Sequence, residues 1–238
     1  MDHQTLVFEE TFQGSTLNRS RWNVEVGDKW HNNEAQSYVD DHDHLIVDNG
    51  LTLLALVHPE FTSKRRYQSI RMNTKGKHEW QYGTFVVRAK VGTGVGSWPA
   101  IWFLPVDIGN VKWPLCGEID LMETVGRDPE VMHFSLHTEW FNHIIKTQRT
   151  KFFKIPNIHE DFHDYKMVWT EEKISFFIDD VHYATFEKPS MDAPVESWPF
   201  DKPYYLILNI AVGGTWGGRI EEKDMSYRMD VAFVRVYQ

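Results

Sequence analysis

Phe85-Val86-Val87-Arg88-Ala89-Lys90 decides the fold class. Phe85, Val87 and Ala89 alternate with Val86, Arg88 and Lys90, a period of two that gives an extended chain one apolar face and one half-exposed face. Working outward, Ile174, Phe176 and Ile178 repeat the pattern and run into the turn pair Asp179-Asp180. Leu51 to Val57 follows the turn signal Asp48-Asn49-Gly50, and Tyr204 to Val212 and Val231 to Tyr237 are rich in β-branched or aromatic residues. Helical periodicity is weak everywhere, and no repeat, low-complexity tract or linker divides the chain. These features predict an all-β protein, a jelly-roll β-sandwich spanning residues 1–238 as one domain, with a groove across the concave sheet.

Composition bounds the function. The 238 residues are 42% hydrophobic and 25% charged, which suits a soluble globular chain with a large core and excludes disorder or coiled coil as its main organisation. A net charge of −9 disfavours nucleic-acid backbones and anionic membrane surfaces as partners, and favours a neutral or cationic ligand. The 10 tryptophans, 9 tyrosines and 15 phenylalanines mean either a large aromatic core or a cleft lined with flat faces. Cys116 is the single cysteine, so neither an intrachain disulfide nor a cysteine zinc cluster can form. No apolar run approaches the roughly 18 residues that cross a bilayer. Met1 to Phe12 lacks the basic and apolar regions of a signal peptide, which reads as a cytoplasmic chain or a secreted one after removal of its leader. A monomer is expected.

The chemistry concentrates in Gly117-Glu118-Ile119-Asp120-Leu121-Met122-Glu123-Thr124-Val125-Gly126. In a strand, Glu118 and Asp120 share one face while Ile119 and Leu121 turn inward. Glu123 has the wrong parity for that face unless a β-bulge near Leu121-Met122 absorbs one residue. Three carboxylates on one face repel, and a solvated acidic edge strand would interleave lysine or arginine, of which there is none between Glu118 and Glu123. A close carboxylate pair is the apparatus of retaining glycoside hydrolysis, one attacking the anomeric carbon and the other protonating the leaving oxygen.

Tryptophans surround these acids in sequence. Trp98 and Trp113 stand beside glycine and proline, where a loop position facing a sugar is more natural than burial, whereas Trp102 among Ala100, Ile101 and Phe103 reads equally well as core. Arg88, and Asn33 within His31-Asn32-Asn33-Glu34, can supply hydroxyl contacts or be ordinary solvated residues. His133, His137 and His143 raise a metal site, but their spacings of four and six do not fit the His-Glu-x-x-His helix, and Phe134-Ser135-Leu136 reads as strand. No metal ligand is therefore assigned. His137 shares parity with His133 and Ser135 and is placed as a hydrogen-bonding partner in the cleft.

At these residues the chain resembles the laminarinase-type members of glycoside hydrolase family 16. The resemblance runs through Asn32-Asn33-Glu34-Ala35-Gln36-Ser37-Tyr38, Gly96-Ser97-Trp98-Pro99-Ala100-Ile101-Trp102, Trp113-Pro114-Leu115-Cys116-Gly117 and the acid stretch. It continues in Leu208-Asn209-Ile210-Ala211-Val212-Gly213-Gly214-Thr215-Trp216-Gly217-Gly218 and Val234-Arg235-Val236-Tyr237-Gln238. It implies that Glu118 is the nucleophile, Asp120 its assisting acid and Glu123 the general acid/base, in retaining endo-hydrolysis of β-1,3-glucosidic bonds in laminarin-like or mixed-linkage β-glucans. It also implies that Asn33, Arg88, Trp98, Trp102, Trp113, His137 and Trp216 line the cleft. Two departures stand out. Val86 replaces the family's usual glutamate, which predicts one lost sugar-hydroxyl contact. Ala232 replaces an aspartate that often helps bind calcium on the convex side; Thr11 and Gly50 carbonyls and Asp230 remain, so at most weak calcium binding and no cofactor are expected.

Three other readings compete. A lectin-like β-glucan-binding module on the same sandwich would not need the acid trio, a transglycosylase would use the same trio with a sugar acceptor, and a metalloenzyme would need ligand spacing that the histidines lack.

Overall fold

The computed structural model describes residues 4–190 and 192–238, with the backbone alone at 64, 195 and 224. In chain order the strands are β1 (Leu6–Glu10), β2 (Asn23–Val24), β3 (Ser37–Tyr38), β4 (Leu45–Val47), β5 (Leu51–Val57), β6 (Tyr67–Ser69), β7 (Arg71–Asn73), β8 (Gly83–Val91) and β9 (Ser97–Pro105). They continue as β10 (Glu118–Glu123), β11 (Val131–His137), β12 (Arg149–Lys154), β13 (His163–Trp169), β14 (Lys173–Ile178), β15 (Val181–Glu187), β16 (Tyr204–Val212) and β17 (Ser226–Tyr237). One sheet runs β15-β14-β13-β8-β17-β5-β6-β3, with β1 on β17 and β4 on β5. The other runs β12-β11-β10-β9-β16-β7-β2. The two form the predicted jelly-roll sandwich.

Local chemistry explains the pieces. In β8, Phe85, Val87 and Ala89 are buried and their neighbours are not, as the alternation required. The β14–β15 hairpin turns at Asp179 and Asp180, whose φ values of 49° and 65° are the left-handed pair that such two-residue turns need and short polar side chains tolerate. The β4–β5 hairpin turns at Asn49 with φ 48°. β17 begins at Ser226, earlier than the predicted Val231, because Tyr227 and Met229 alternate inward while the backbone pairs with β5. No β-branched run marks that extension, and only the ladder does.

The core between the sheets takes much of the aromatic excess: Trp22, Trp169, Tyr165, Tyr204, Phe85, Phe103, Phe134 and Phe176 are fully buried. Each is worth about 1.5–3 kcal/mol by removal from water. Central strand β16 has no exposed residue. Tyr204, Leu206, Leu208, Ile210 and Val212 alternate with Tyr205, Ile207, Asn209 and Ala211, and Tyr205, Asn209 and Ala211 line a cleft on the far side of the seven-stranded sheet.

Candidate active site

The cleft has a volume of about 940 Å³, and its floor is read directly from strand parity. From β9 come Trp98, Ala100, Trp102 and Leu104, with Ile101 and Phe103 in the core behind them. From β10 come Glu118, Asp120 and Glu123. The bulge is where the sequence required it. Against β9, Asp120 pairs with Trp102 and Met122 with Ile101, so Leu121 is the extra residue, and Leu121 and Met122 are both completely buried. Consecutive inward residues restore Glu123 to the cleft face.

Two glycines frame this strand for steric reasons. Gly117 has φ 87°, and a Cβ there would lie 2.3 Å from the Tyr204 hydroxyl. A Cβ on Gly126 would lie 1.7 Å from the Gly94 carbonyl oxygen. Neither position admits a side chain.

Glu118 faces His137 across the β10–β11 ladder. The His137 Nε2 lies 3.2 Å from Asp120 Oδ2 and 3.8 Å from Glu118 Oε1. Glu118 and Asp120 are also in mutual hydrogen-bond contact, which two carboxyl groups sustain only when one carries a proton. Burial pushes both well above the usual carboxylate range, Glu118 further by the neighbouring Asp120 charge and Asp120 by that of Glu123. Burial also raises Glu123, while the Trp98 indole N–H, which donates to Glu123 Oε1 at 2.9 Å, opposes that rise. Glu34, another buried acid of the cleft wall, adds negative charge that favours the protonated Glu123. The arrangement can therefore hold one carboxylate ionised and another protonated within one cluster, the division of labour that acid and nucleophile need.

The indoles are fixed by their polar edges. Trp102 donates to Asn209 Oδ1 at 2.7 Å, and Asn209 donates in turn to the Tyr38 hydroxyl at 2.9 Å. Trp102 is thus half-buried and faces the cleft, which resolves its two readings. Trp98 lies in β9 and not in a loop, while Trp113 lies in the loop before β10, its ring 4.9 Å from that of His143. Trp216 does not line the cleft. It packs edge-on against Trp98 at 5.2 Å and against His133 at 4.8 Å, so it supports the ring that holds Glu123. His137 sits beside the acids, buried in ring contact with Trp113 and His143, and does not line the open cavity.

Two further expectations are corrected. Arg88 belongs to β8, in the other sheet, where its parity is opposite to the buried Val87 and its guanidinium pairs with Asp164 at 2.8 Å. Val86 shares that outer face, so its departure from the family removes no contact from the cleft. Asn33 is exposed, in a turn with φ 55°, and its neighbours His31, Asn32 and Glu34 line the cleft instead.

The cleft arginine is Arg71, which the sequence reading missed. It sits between the rings of Trp30 and Trp102, at 5.2 Å and 4.8 Å, and its Nε donates to Glu25 at 3.0 Å. Its signal lay in Ile70-Arg71-Met72-Asn73, where two completely buried residues alternate with two polar ones, the last three forming the short strand β7.

Among the described residues, Glu118, Asp120 and His137 bring donor atoms within 4.8 Å of one another and could geometrically hold a cation. On the opposite sheet, Asp230 already accepts from the Thr52 hydroxyl at 2.5 Å and from Arg228 Nε at 2.7 Å, and Ala232 offers no carboxylate. One carboxylate neutralised by arginine does not fit a calcium ion, which wants several oxygen donors.

Comparison with known proteins adds the family. Residues 30–229 match the family described as glycosyl hydrolases family 16. This chain belongs to that family. A β-glucanase of Rhodothermus marinus is 39% identical over 99% of this chain and 86% of its own length. The X-ray structure of the laminarinase from Rhodothermus marinus superposes with a TM-score of 0.94 at 38% identity, covering 99% of this chain and 98% of that one. SCLam, a non-specific endo-β-1,3(4)-glucanase from the same family, superposes at 0.92 with 33% identity, covering 100% of this chain and 92% of its own. The jelly-roll class, the family and a glycoside hydrolase assignment stand on these likenesses. Among the described residues, no helix of this family 16 chain is long and apolar enough to cross a membrane.

Proposed function

We propose that this chain hydrolyses internal β-1,3-glucosidic bonds of laminarin-like and mixed-linkage β-glucans with retention of configuration. The observation that carries the reading is the bulge of β10, which sets Glu118, Asp120 and Glu123 on one face beneath Trp98, Trp102 and Trp113. The laminarinase and endo-β-1,3(4)-glucanase likenesses support the linkage class. Ionised Glu118 attacks the anomeric carbon while protonated Glu123 gives its proton to the leaving oxygen, forming a glycosyl ester on Glu118. Glu123 then takes a proton from water, which attacks the same carbon and frees Glu118. Protonated Asp120 donates its hydrogen bond to Glu118 and holds it in line. Arg71 and the indoles hold sugar rings and hydroxyls on either side.

The test is digestion of laminarin, barley mixed-linkage glucan, agarose and xyloglucan side by side, with products sized and the new anomer read by NMR. β-configured oligosaccharides of intermediate length from the first two are expected. Glu118→Ala should lower turnover by about four orders of magnitude or more while glucan binding persists, and azide should restore some activity with an α-configured product. A variant that keeps near-parent rates removes Glu118 from its role, and a parent that binds glucan without cleaving it makes the chain a binding module.

A further inference from the structure

Two histidines outside the cleft face each other ring to ring. His44 immediately precedes β4 and His58 immediately follows β5, so they meet where this antiparallel hairpin opens. His44 Nδ1 lies 2.6 Å from Asp41 Oδ1, and His58 Nδ1 lies 3.2 Å from Glu60 Oε1. A carboxylate at Nδ1 fixes the hydrogen there and leaves the lone pair on Nε2. The two Nε2 atoms face each other at 3.2 Å. Two acceptors in that position repel unless a proton or a cation stands between them.

The ring geometry accommodates a metal. A metal about 2.0–2.1 Å from two imidazole nitrogens, at a near-tetrahedral angle, separates the nitrogens by about 3.3 Å and the ring centres by about 5.2 Å. A collinear N–H···N bond of the observed length would place the centres about 5.5 Å apart and one bent to about 150° about 5.2 Å, so the spacing admits either bridge and the surrounding charge favours the cation. The observed values are 3.2 Å and 5.2 Å. Charge agrees with a dication, since Asp41 and Glu60 flank the pair, and Arg66, the cation bearing on Glu60, is already tied to Glu222 at 2.7 Å.

We propose that His44 and His58 bind a divalent transition metal of the zinc type through Nε2, with Asp41 and Glu60 as the outer carboxylates and water completing the shell. His44 is completely buried and His58 reaches the surface, so the ion would tie the end of the hairpin from inside to outside. The site strengthens the sandwich and takes no part in glycoside cleavage, and it is independent of the proposed function.

Zinc titration of metal-stripped protein by calorimetry, with melting curves at increasing zinc, tests it. The whole chain should bind one zinc ion in the micromolar range, with a melting temperature that climbs with zinc concentration as mass action requires. His58→Ala and the milder His58→Gln, at a partly exposed position, should fold and lose both effects. Glu60→Gln should weaken zinc by about 10- to 100-fold. Glu118→Gln, which alters the other donor cluster, should leave zinc affinity unchanged. Absence of stoichiometric zinc binding by the parent overturns the proposal in favour of a shared proton. Retention of tight zinc by both His58 variants, or its loss in Glu118→Gln, overturns it in favour of another site.

Discussion

Arg71 and Arg88 show what a single side chain gains from its sheet. Both lie on strands among apolar neighbours, but Arg71 is clamped by Glu25 and two indoles at the cleft, and Arg88 makes an exposed pair with Asp164. Arg71→Ala should lower kcat/KM on laminarin by about 10- to 100-fold, the worth of one or two hydrogen bonds from a charged donor. Arg88→Ala should leave kcat/KM unchanged and cost no more than about 1 kcal/mol of stability, as exposed pairs do. Parallel steady-state and melting measurements check both, and a large catalytic loss from Arg88→Ala would contradict its placement. Trp98 supplies the second residue-scale expectation. Its N–H stabilises ionised Glu123, so Trp98→Phe removes a lowering influence and the acid holds its proton to higher pH. The alkaline limb of the kcat/KM profile should move upward in pH, and a limb that stays or moves down would separate Glu123 from the acid role.

At the scale of an element, β10 is a strand whose irregularity carries the chemistry. The acid spacing alone required a bulge, since five positions between Glu118 and Glu123 cannot share a face in plain alternation. The register confirms the extra residue at Leu121 and shows both spacer side chains in the core. Deleting Met122 should return β10 to plain alternation, keep its glutamate on the cleft face one position closer to Asp120, and remove one buried side chain. The variant should fold with a melting temperature lower by on the order of 5 °C or more. Its kcat/KM on laminarin should fall at least about tenfold, or its preference should shift towards mixed-linkage glucan, because losing the bulge removes the local bend that aims the glutamate side chain. Unchanged rate and preference would mean that the spacer carries no functional information.

Across the whole molecule, the acid cluster is a stability cost held for function. A carboxyl whose pKa is raised in the fold binds its proton more tightly folded than unfolded, so its contribution is full below the ordinary carboxylate range and is lost as pH rises towards the raised value. Glu118, Asp120 and Glu123 are all raised, which makes the folded chain less stable at neutral pH than the same fold without their charges. Glu118→Gln and Asp120→Asn should each raise the melting temperature at pH 7, by about 2–4 °C for every kcal/mol recovered. The gain should vanish below about pH 4, where the unfolded carboxyls are also protonated. Melting curves across that range decide it; a gain that persists at low pH would point to packing and not to charge.

What the residues determined by themselves follows from short-range physics. Alternation fixed which side of β8 and β10 meets the core, paired turn residues fixed the Asp179-Asp180 hairpin, and parity fixed the need for a bulge between Asp120 and Glu123. What only the tertiary structure decided was which sheet each strand entered. Arg88 and Arg71 have the same local pattern, and nothing within a few residues says that β8 pairs with β13 and β17 while β7 pairs with β16. The same holds for His44 and His58, Trp98 and Trp216, and Asn33 and Asn32. Their partners or orientations are set by strand pairings and turn geometry distant in sequence, because a side chain's own periodicity gives its face but never the surface that face will meet.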